Sequence, residues 1–454
     1  MKKVLFAMLG FLTVNIVQAQ EEEITDSVQW LSGKIETAET EIGLLKKLKF
    51  SGYIQAQWQK ADTIGSPSVA GGDFKGTDNR FQVRRARLKA AYSGTNSNIA
   101  MQLDLKDDGS VKVKEAYGIY TEPLLNAFSL TGGIFNRPIG FEVEYSSSTL
   151  ESPERARVLQ TLFPDECDLG AKLTIQAPKT SSWNFLKLDV GLFNGNAITS
   201  ETDKFKDLIA HLSFKKVLMD ENLQISGGIS YYLGGFASPS GTLMKWNSAD
   251  STFKADAGYK KGDRIDRKYF GIDAQISLNS ALGLTSLRAE YLWGQQPGTF
   301  KSTVSPKGAI TDTKDYIIKD TLGNAVTYTA TVKPDIYLRN FNGGYVMLVH
   351  RLMQTKHEIV AKYDWYDPNT DASGDELVSK NKNVGPSDLK FTTIGLGYNY
   401  YATPNVRLSV YYDMVSNEKL NAKYNKAVIA ENGVKNYTSD LKDNVLTLRV
   451  LYKF

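Results

Sequence analysis

The last ten residues, Val445 to Phe454, alternate without a break. Leu446, Leu448, Val450, Tyr452 and Phe454 fall on one face, and Val445, Thr447, Arg449, Leu451 and Lys453 on the other. A period of two is the period of a strand, because successive side chains leave opposite faces of a pleated backbone. The pattern recurs upstream. Ile359, Ala361, Tyr363 and Trp365 oppose Glu358, Lys362, Asp364 and Tyr366; Val406, Leu408, Val410, Tyr412 and Met414 oppose Arg407, Ser409, Tyr411 and Asp413. From Phe50 onward the pattern predicts sixteen strands, at 50–59, 81–92, 99–106, 111–120, 128–135, 168–176, 184–193, 206–214, 223–233, 267–278, 285–294, 341–350, 357–366, 390–401, 406–415 and 444–454. Each is near the roughly 9–11 residues that a tilted membrane strand needs. Strand 111–120 does not alternate clearly, and its faces stay unassigned.

A soluble sandwich also alternates apolar-in and polar-out, so the connections decide. Those after even-numbered strands are short: 93–98, 121–127, 177–183, 215–222, 279–284, 351–356 and 402–405. Those after odd-numbered strands are often long: 60–80, 136–167, 234–266, 295–340, 367–389 and 416–443. Loops sorted by parity are the mark of an outer-membrane barrel, with turns on the periplasmic rim and loops outside. A sandwich has no reason to sort them. Tyr53, Trp58, Tyr92, Trp293, Trp365, Tyr400 and Tyr452 near strand ends fit interfacial girdles. Lipid cannot satisfy a free sheet edge, so the sheet must close. The expected fold is all-β, a 16-stranded antiparallel transmembrane β-barrel over 48–454 with a short N-terminal helix before it.

Before the strands stand two other patterns. Lys2 and Lys3, an apolar run from Val4 to Val17 and the small-residue end Val17-Gln18-Ala19 read as a secretory signal peptide over 1–19. Over 20–47, Ile24, Val28, Leu31, Ile35, Ala38, Ile42 and Leu45 repeat every four and three residues, the seam of a short periplasmic coiled-coil helix. The other reading is one amphipathic helix packed on the barrel mouth. β-Branched Val28, Ile35 and Ile42 with Leu31 and Leu45 lean towards a dimer by packing rules.

Composition adds limits. Hydrophobic content is 42% and mean hydropathy −0.31, as expected where half of every strand faces water. No stretch after the leader approaches the roughly 20 apolar residues of a spanning helix. One cysteine, Cys167, rules out an intramolecular disulfide. The formal charge of +4 falls to +2 without Lys2 and Lys3, too near balance to give a ligand's sign. The three histidines, His211, His350 and His357, have no evident serine partner, so an enzyme such as a lipid hydrolase is not expected. Phosphate loops and Cys/His metal clusters are absent from the sequence, so neither cofactor nor metal is expected, and no nucleic-acid partner.

Two stretches carry candidate chemistry. In the second strand Ala86, Leu88 and Ala90 belong to the lipid face, which sends Arg85, Arg87 and Lys89 into the lumen at two-residue spacing. Stacked cations lower the barrier for anions along a pore wall. They could instead neutralise lumen acids such as Asp104 and Glu115 and merely hold the wall. The second stretch is 136–167. It holds Phe141, Tyr145, Leu150, Leu159, Leu162 and Phe163, too apolar for a solvated loop, with Arg137, Arg155 and Arg157 and six acids between Glu142 and Glu166. Such a loop is expected to fold inward and constrict the channel; the other reading is an exterior cap.

Several segments resemble the phosphate-selective porin O and P family. They are Arg84-Arg85-Ala86-Arg87-Leu88, Gly133-Ile134-Phe135-Asn136-Arg137-Pro138-Ile139-Gly140, Ser152-Pro153-Glu154-Arg155, Pro164-Asp165-Glu166-Cys167-Asp168-Leu169-Gly170 and Phe193-Asn194-Gly195. The terminal Phe454 is also a common ending of bacterial outer-membrane barrels. The resemblance implies a trimeric porin whose third loop narrows the lumen, with basic residues that replace an anion's hydration. By motif position it carries over Arg85, Arg87 and Arg155. A large barrel–barrel interface would override a three-heptad coil, so a homotrimer in outer-membrane lipid is expected. The sequence departs from the family at Cys167 and His211, where members often have arginine, and the loop is rich in acid. The expected function is passive diffusion of small solutes, anions such as phosphate among them, past Arg85, Arg87, Lys89, Arg137, Arg155 and Arg157. A general, weakly selective porin for small solutes or sugars is the alternative, and a structural or adhesive barrel is the alternative of another class.

Overall fold

The structure, a computed structural model, describes residues 48–454 apart from 69–71, 107, 320–324, 354, 374–383 and 421–434, with isolated positions between 30 and 47. The expected signal peptide lies outside the described residues. So does most of the apolar seam, of which only Leu31 and Ile35 are described, both exposed.

Twenty strands are described. The first nine are β1 (Leu48–Ala61), β2 (Asn79–Ser93), β3 (Ser97–Leu105), β4 (Val111–Thr121), β5 (Phe128–Asn136), β6 (Cys167–Gln176), β7 (Leu186–Phe193), β8 (Asp207–Leu218) and β9 (Leu223–Ala237). A hairpin follows, β10 (Leu243–Asn247) and β11 (Thr252–Asp256), then β12 (Arg264–Ser280) and β13 (Gly283–Gly298). A second hairpin is β14 (Asp312–Lys319) and β15 (Ala325–Val332), before β16 (Ile336–Leu352), β17 (His357–Asp367), β18 (Phe391–Thr403), β19 (Val406–Asn417) and β20 (Val445–Lys453). Leaving out the two hairpins, sixteen strands pair antiparallel with their neighbours. β20 closes on β1 from Tyr53↔Lys453 to Ala61↔Val445. This is the expected closed barrel, and each of the sixteen expected strands is present. The hairpins lie within the long connections 238–263 and 299–335. β10 also runs parallel beside the start of β16, from Leu243↔Ile336 to Lys245↔Leu338.

One rim carries short turns, such as 94–96, 281–282 and 404–405; the other carries the long connections. Along β20, Leu448, Val450, Tyr452 and Phe454 are exposed outward, while Val445, Thr447, Arg449 and Leu451 are buried inward. The same split runs round the barrel and leaves an outward belt that includes Leu88, Ile99, Leu287, Leu348, Ile359 and Leu408. A continuous apolar belt of this kind matches hydrocarbon rather than water. Towards the loop rim it carries stacked rings: Phe270–Trp293 at 5.8 Å, Tyr291–Trp293 at 5.3 Å and Tyr363–Trp365 at 5.8 Å. Gly344 is register partner of both Tyr291 and Trp365, whose rings meet at 6.0 Å. A Cβ there would sit 3.0 Å from the Trp365 ring. Tyr53 departs from the girdle expected of it. It is buried inward, its hydroxyl accepting from Arg87 at 3.0 Å.

Two bulges break the period. Gln55 pairs with Arg85 but Ala56 with Val83, so Arg84 is an extra residue in β2. Gln102 pairs with Glu115 but Leu103 with Val113, so Lys114 is an extra residue in β4. A bulge sets two consecutive residues opposite one and re-aims their side chains. Arg84 and Arg85 therefore both reach the lumen, as do Lys114 and Glu115. The second bulge is why 111–120 does not alternate.

The face assignment has a direct check. Replacing outward Leu448, near the middle of β20, by lysine puts a charge in the belt. Such a charge costs about 2–4 kcal/mol at the bilayer midplane. Urea unfolding of the barrel in lipid vesicles should register that loss. A change below about 0.5 kcal/mol would place Leu448 off the lipid face.

Candidate functional site

Asn136 and Cys167 pair with each other as the end of β5 and the start of β6, so the excursion is 137–166 rather than 136–167. It lies inside the barrel. Ile139, Val143, Ala156, Val158, Leu159, Leu162 and Phe163 are buried in one cluster with the inward Ile209, Tyr232, Tyr269, Leu292, Phe341, Tyr345 and Tyr366. One side of the lumen wall is thus apolar and the excursion covers it. The short helix α1 (Arg157–Leu162) packs on β16 and β17, where a Cβ on Gly343 would sit 2.7 Å from Val158.

Polar anchors surround this apolar contact. The Glu290 carboxylate accepts the N–H groups of Phe141 and Glu142 at 3.3 and 3.1 Å, and Ser230 that of Gly140 at 3.0 Å. Gly140 has φ +58°, and a Cβ there would run into Glu290. Arg288 grips Glu151 with two bonds, of 2.7 and 3.0 Å. Lys362 reaches Glu142 at 2.9 Å, Arg407 the Leu150 carbonyl at 2.7 Å and Gln55 the Ser147 carbonyl at 2.9 Å. Contacts from β1, β13, β17 and β19 hold the excursion across the lumen.

The densest charge cluster lies at Glu154. Arg84 donates from Nε and Nη2 at 2.8 and 2.9 Å, Arg85 from Nη2 at 2.7 Å and Nη1 at 3.3 Å, and Arg449 from Nη2 at 3.1 Å. Burial alone would raise the Glu154 pKa, but Arg84, Arg85 and Arg449 outweigh it and hold the carboxyl far below its usual range. Glu166 is a second such point. Burial opposes its charge, yet Arg155 and Lys114 draw its pKa well down. Arg155 also binds the carbonyls of Glu142 and Tyr145 at 2.7 and 2.6 Å, which closes the excursion on itself. Both bulges thus deliver an extra cation to an acid of the excursion, Arg84 to Glu154 and Lys114 to Glu166.

Two cavities open between the excursion and the wall on the turn-rim side. The first, about 550 Å³, is lined by Arg87, Lys89, Lys114, Arg155, Lys172 and Lys453 against Glu115, Glu144 and Glu166. The second, about 730 Å³, is lined among others by Arg288, Arg351, Lys356 and Arg407 with Glu151 and Glu358. On the loop-rim side, beside Glu154, Arg157, Asp364, Asp413 and Asp443, the cavity is only about 30 Å³. Above it the long loops pack on a core of Met244, Phe253, Tyr337, Val384, Leu389 and Leu420. There Arg339, fully buried, is paired with Asp388 at 2.7 Å.

The six residues singled out from sequence therefore part company. Arg87, Lys89 and Arg155 line the first cavity. Arg87 is paired with Asp104 at 3.2 Å and Lys89 with Glu115 at 2.6 Å, the wall acids named as the alternative partners. Arg85 is buried on Glu154. Arg137 is buried on Asp168 at 3.1 Å and lines neither large cavity. Arg157 faces the small loop-rim cavity, stacked 4.4 Å from the Phe391 ring. Sequence reading missed Arg84, Lys114 and Arg449. Only the alternating face of β20 hinted at the last. The histidines are bonded to Asp273, Thr285 and Tyr398, not to serine or cysteine. Among the described residues no group of three His, Cys, Asp or Glu is placed to hold a metal ion.

No protein-family model and no curated protein matches the chain. Solved structures do. OprB of Pseudomonas putida aligns over 92% of this chain and 97% of its own, with a TM-score of 0.51 at 11% identity. The outer membrane channel DcaP of Acinetobacter baumannii aligns over 90% of this chain and 97% of its own, with a TM-score of 0.50 at 13% identity. At these identities the likeness is one of fold, and the fold is that of outer-membrane porin barrels.

The depressed acids fix a pH dependence. A carboxylate with a lowered folded pKa stabilises the docked excursion fully above its unfolded pKa, and that contribution is lost as pH falls through the folded value. The excursion should therefore stay docked at pH 7 and pH 5 and loosen only in strong acid. Spin labels at exposed Thr149 and at Asn222 in a rim turn would report it as an unchanged distance down to pH 5 and a broadened one towards pH 2. Broadening already at pH 5 would contradict the assigned pairing.

Proposed function

We propose that the protein is an outer-membrane diffusion channel for small solutes, leaning towards anions, with 137–166 as its constriction. The short turns and termini then face the periplasm and the long loops the outside. The observation that carries this reading is the lining of the first cavity, six cationic side chains against three acidic ones beneath a loop that crosses the lumen. The porin-type fold supports it. A homotrimer, implied by the sequence resemblance, is the proposed assembly, with the N-terminal helix in the periplasm, where an even number of strands puts both termini.

The size of the field is set by the balance of charge. Unit charges about 4 Å apart in water interact by about 1 kcal/mol, and screening at physiological salt sets in beyond about 8 Å. Arg87 and Lys172 of that lining are paired with Asp104 and Asp189 behind it, so the cationic excess in the wet lumen is small and gives at most a several-fold preference, not an absolute one. Of the β2 arginines that would grip a phosphate, Arg84 and Arg85 are already occupied by Glu154 and Arg87 by Asp104. A general anion-leaning channel is therefore favoured over a dedicated phosphate channel.

Purified protein in a planar bilayer under a KCl gradient should give a reversal potential of anionic sign. The preference should be several-fold at 0.1 M salt and should shrink towards 1 M, and millimolar phosphate should block chloride current little. Replacing Lys89 and Lys114 together by methionine leaves Glu115 and Glu166 less compensated and should move the reversal potential towards cations. A cation-selective wild type, or no ion current, would sink the reading.

A further inference from the structure

We propose that Glu154 is a built-in counter-ion that sets the channel's selectivity: its carboxylate fills a three-guanidinium cradle that would otherwise hold a permeating oxoanion. The proposal rests on the channel reading above and deepens it. Arg84, Arg85 and Arg449 bring five N–H contacts of 2.7 to 3.3 Å onto two carboxylate oxygens. A carboxylate offers about four lone-pair sites, so the donors are in excess. Forked guanidiniums around one centre are the donor set that suits the oxygens of phosphate or sulfate. Three cations also face one anion. The nearest further partners of Arg85 and Arg449 are the neutral side-chain oxygens of Gln55 and Gln57. The cradle is buried, with Arg85 and Arg449 each 4% exposed, so its surplus charge is poorly screened.

Glu154 is tethered to that place by its backbone. Ser152 Oγ donates to its carbonyl at 2.8 Å, Lys362 Nζ reaches the same oxygen at 3.3 Å, and Arg449 Nη1 holds the Pro153 carbonyl. The adjoining cavity of about 30 Å³ has room for about one water, not for a phosphate. An oxoanion can enter only where the Glu154 side chain leaves. Tethered at its α-carbon, the carboxylate competes at an effective concentration that a dilute solute does not match. The side chain thereby turns a trap for oxoanions into a fixed wall, and small anions pass without lodging.

The test is phosphate block of chloride current in Glu154→Ala and Glu154→Ser, both of which vacate the cradle, beside the wild type and the double variant Glu154→Ala/Arg85→Ala. Both single variants should be half-blocked at a phosphate concentration at least ten-fold lower than the wild type. The double variant should lose most of that gain. Single variants that conduct with the wild-type response to phosphate would overturn the proposal. Isothermal titration of inorganic phosphate into the detergent-solubilised Glu154→Ser protein gives a readout that needs no current. Binding there that is at least ten-fold tighter than in wild type supports the cradle even where the wild type passes no ions, a result that fails the channel reading alone. No gain in binding overturns the cradle even where the wild type conducts.

Discussion

Every backbone N–H and C=O of a sheet immersed in hydrocarbon must find its partner within the sheet, because the medium offers none. The closure of β20 on β1 is that constraint met. The placement of every wall side chain derives from it. Once the sheet closes, alternate side chains have no choice of environment: one set meets lipid and the other meets the lumen. Leu448 and Val450 go outward and Arg449 goes inward because they are neighbours on a closed strand. A lumen enclosed by sixteen strands is also too wide for wall side chains to fill. Something else must fill it, or it stays water.

Here the filling is uneven, and the unevenness makes the site. One side of the wall presents Ile209, Tyr232, Tyr269, Phe341 and Tyr345, which could not stay wet without cost. The excursion's own apolar residues cover them. That docking presses the hydrophilic edge of the excursion, Glu154 and Glu166 among it, against the opposite wall of β1, β2, β4 and β20. Desolvation there would be prohibitive for unpaired carboxylates. The bulges at Arg84 and Lys114 answer it by turning one more cation inward at each contact than a regular strand allows. Hydrophobic burial thus brings the excursion into the lumen, and the bulged cations fix where it stops.

This division explains what the sequence makes legible. Strand number, closure and loop parity come from a period of two and from gap lengths, both of which are local. The apolar character of Leu159, Leu162 and Phe163 is local too, and it marks the excursion as something that must be covered. The bulges are not local. Arg84-Arg85 reads in sequence as one inward and one outward residue, and only pairing with β1 shows that both turn in. At Lys114 the missing alternation was itself the trace of a bulge, but it pointed to no partner. Arg449 lies 295 residues from Glu154, and no spacing rule connects them. Tyr53 misled for a related reason. An aromatic near a strand end suggests a girdle, but parity counted against its neighbours Ile54 and Gln55 puts it in the lumen.

The same logic bears on how a basic ladder should be read. Cations counted along a strand measure what the wall contributes, not the field a solute meets. Arg85 is spent on Glu154, Arg87 on Asp104 and Lys89 on Glu115. What a solute meets is the remainder after pairing, spread over side chains from several elements: Lys114 and Arg155 share the one Glu166, Lys172 and Lys187 share Asp189, and Lys453 stands at the rim. A remainder is sensitive to single acids in a way that a ladder is not. Moving one carboxylate by one turn of a loop would change the net charge at the narrowest point by a full unit while leaving every strand untouched. Selectivity in a barrel of this kind can therefore shift with loop residues, whereas the strands, bound by closure and by the lipid, have far less freedom to vary.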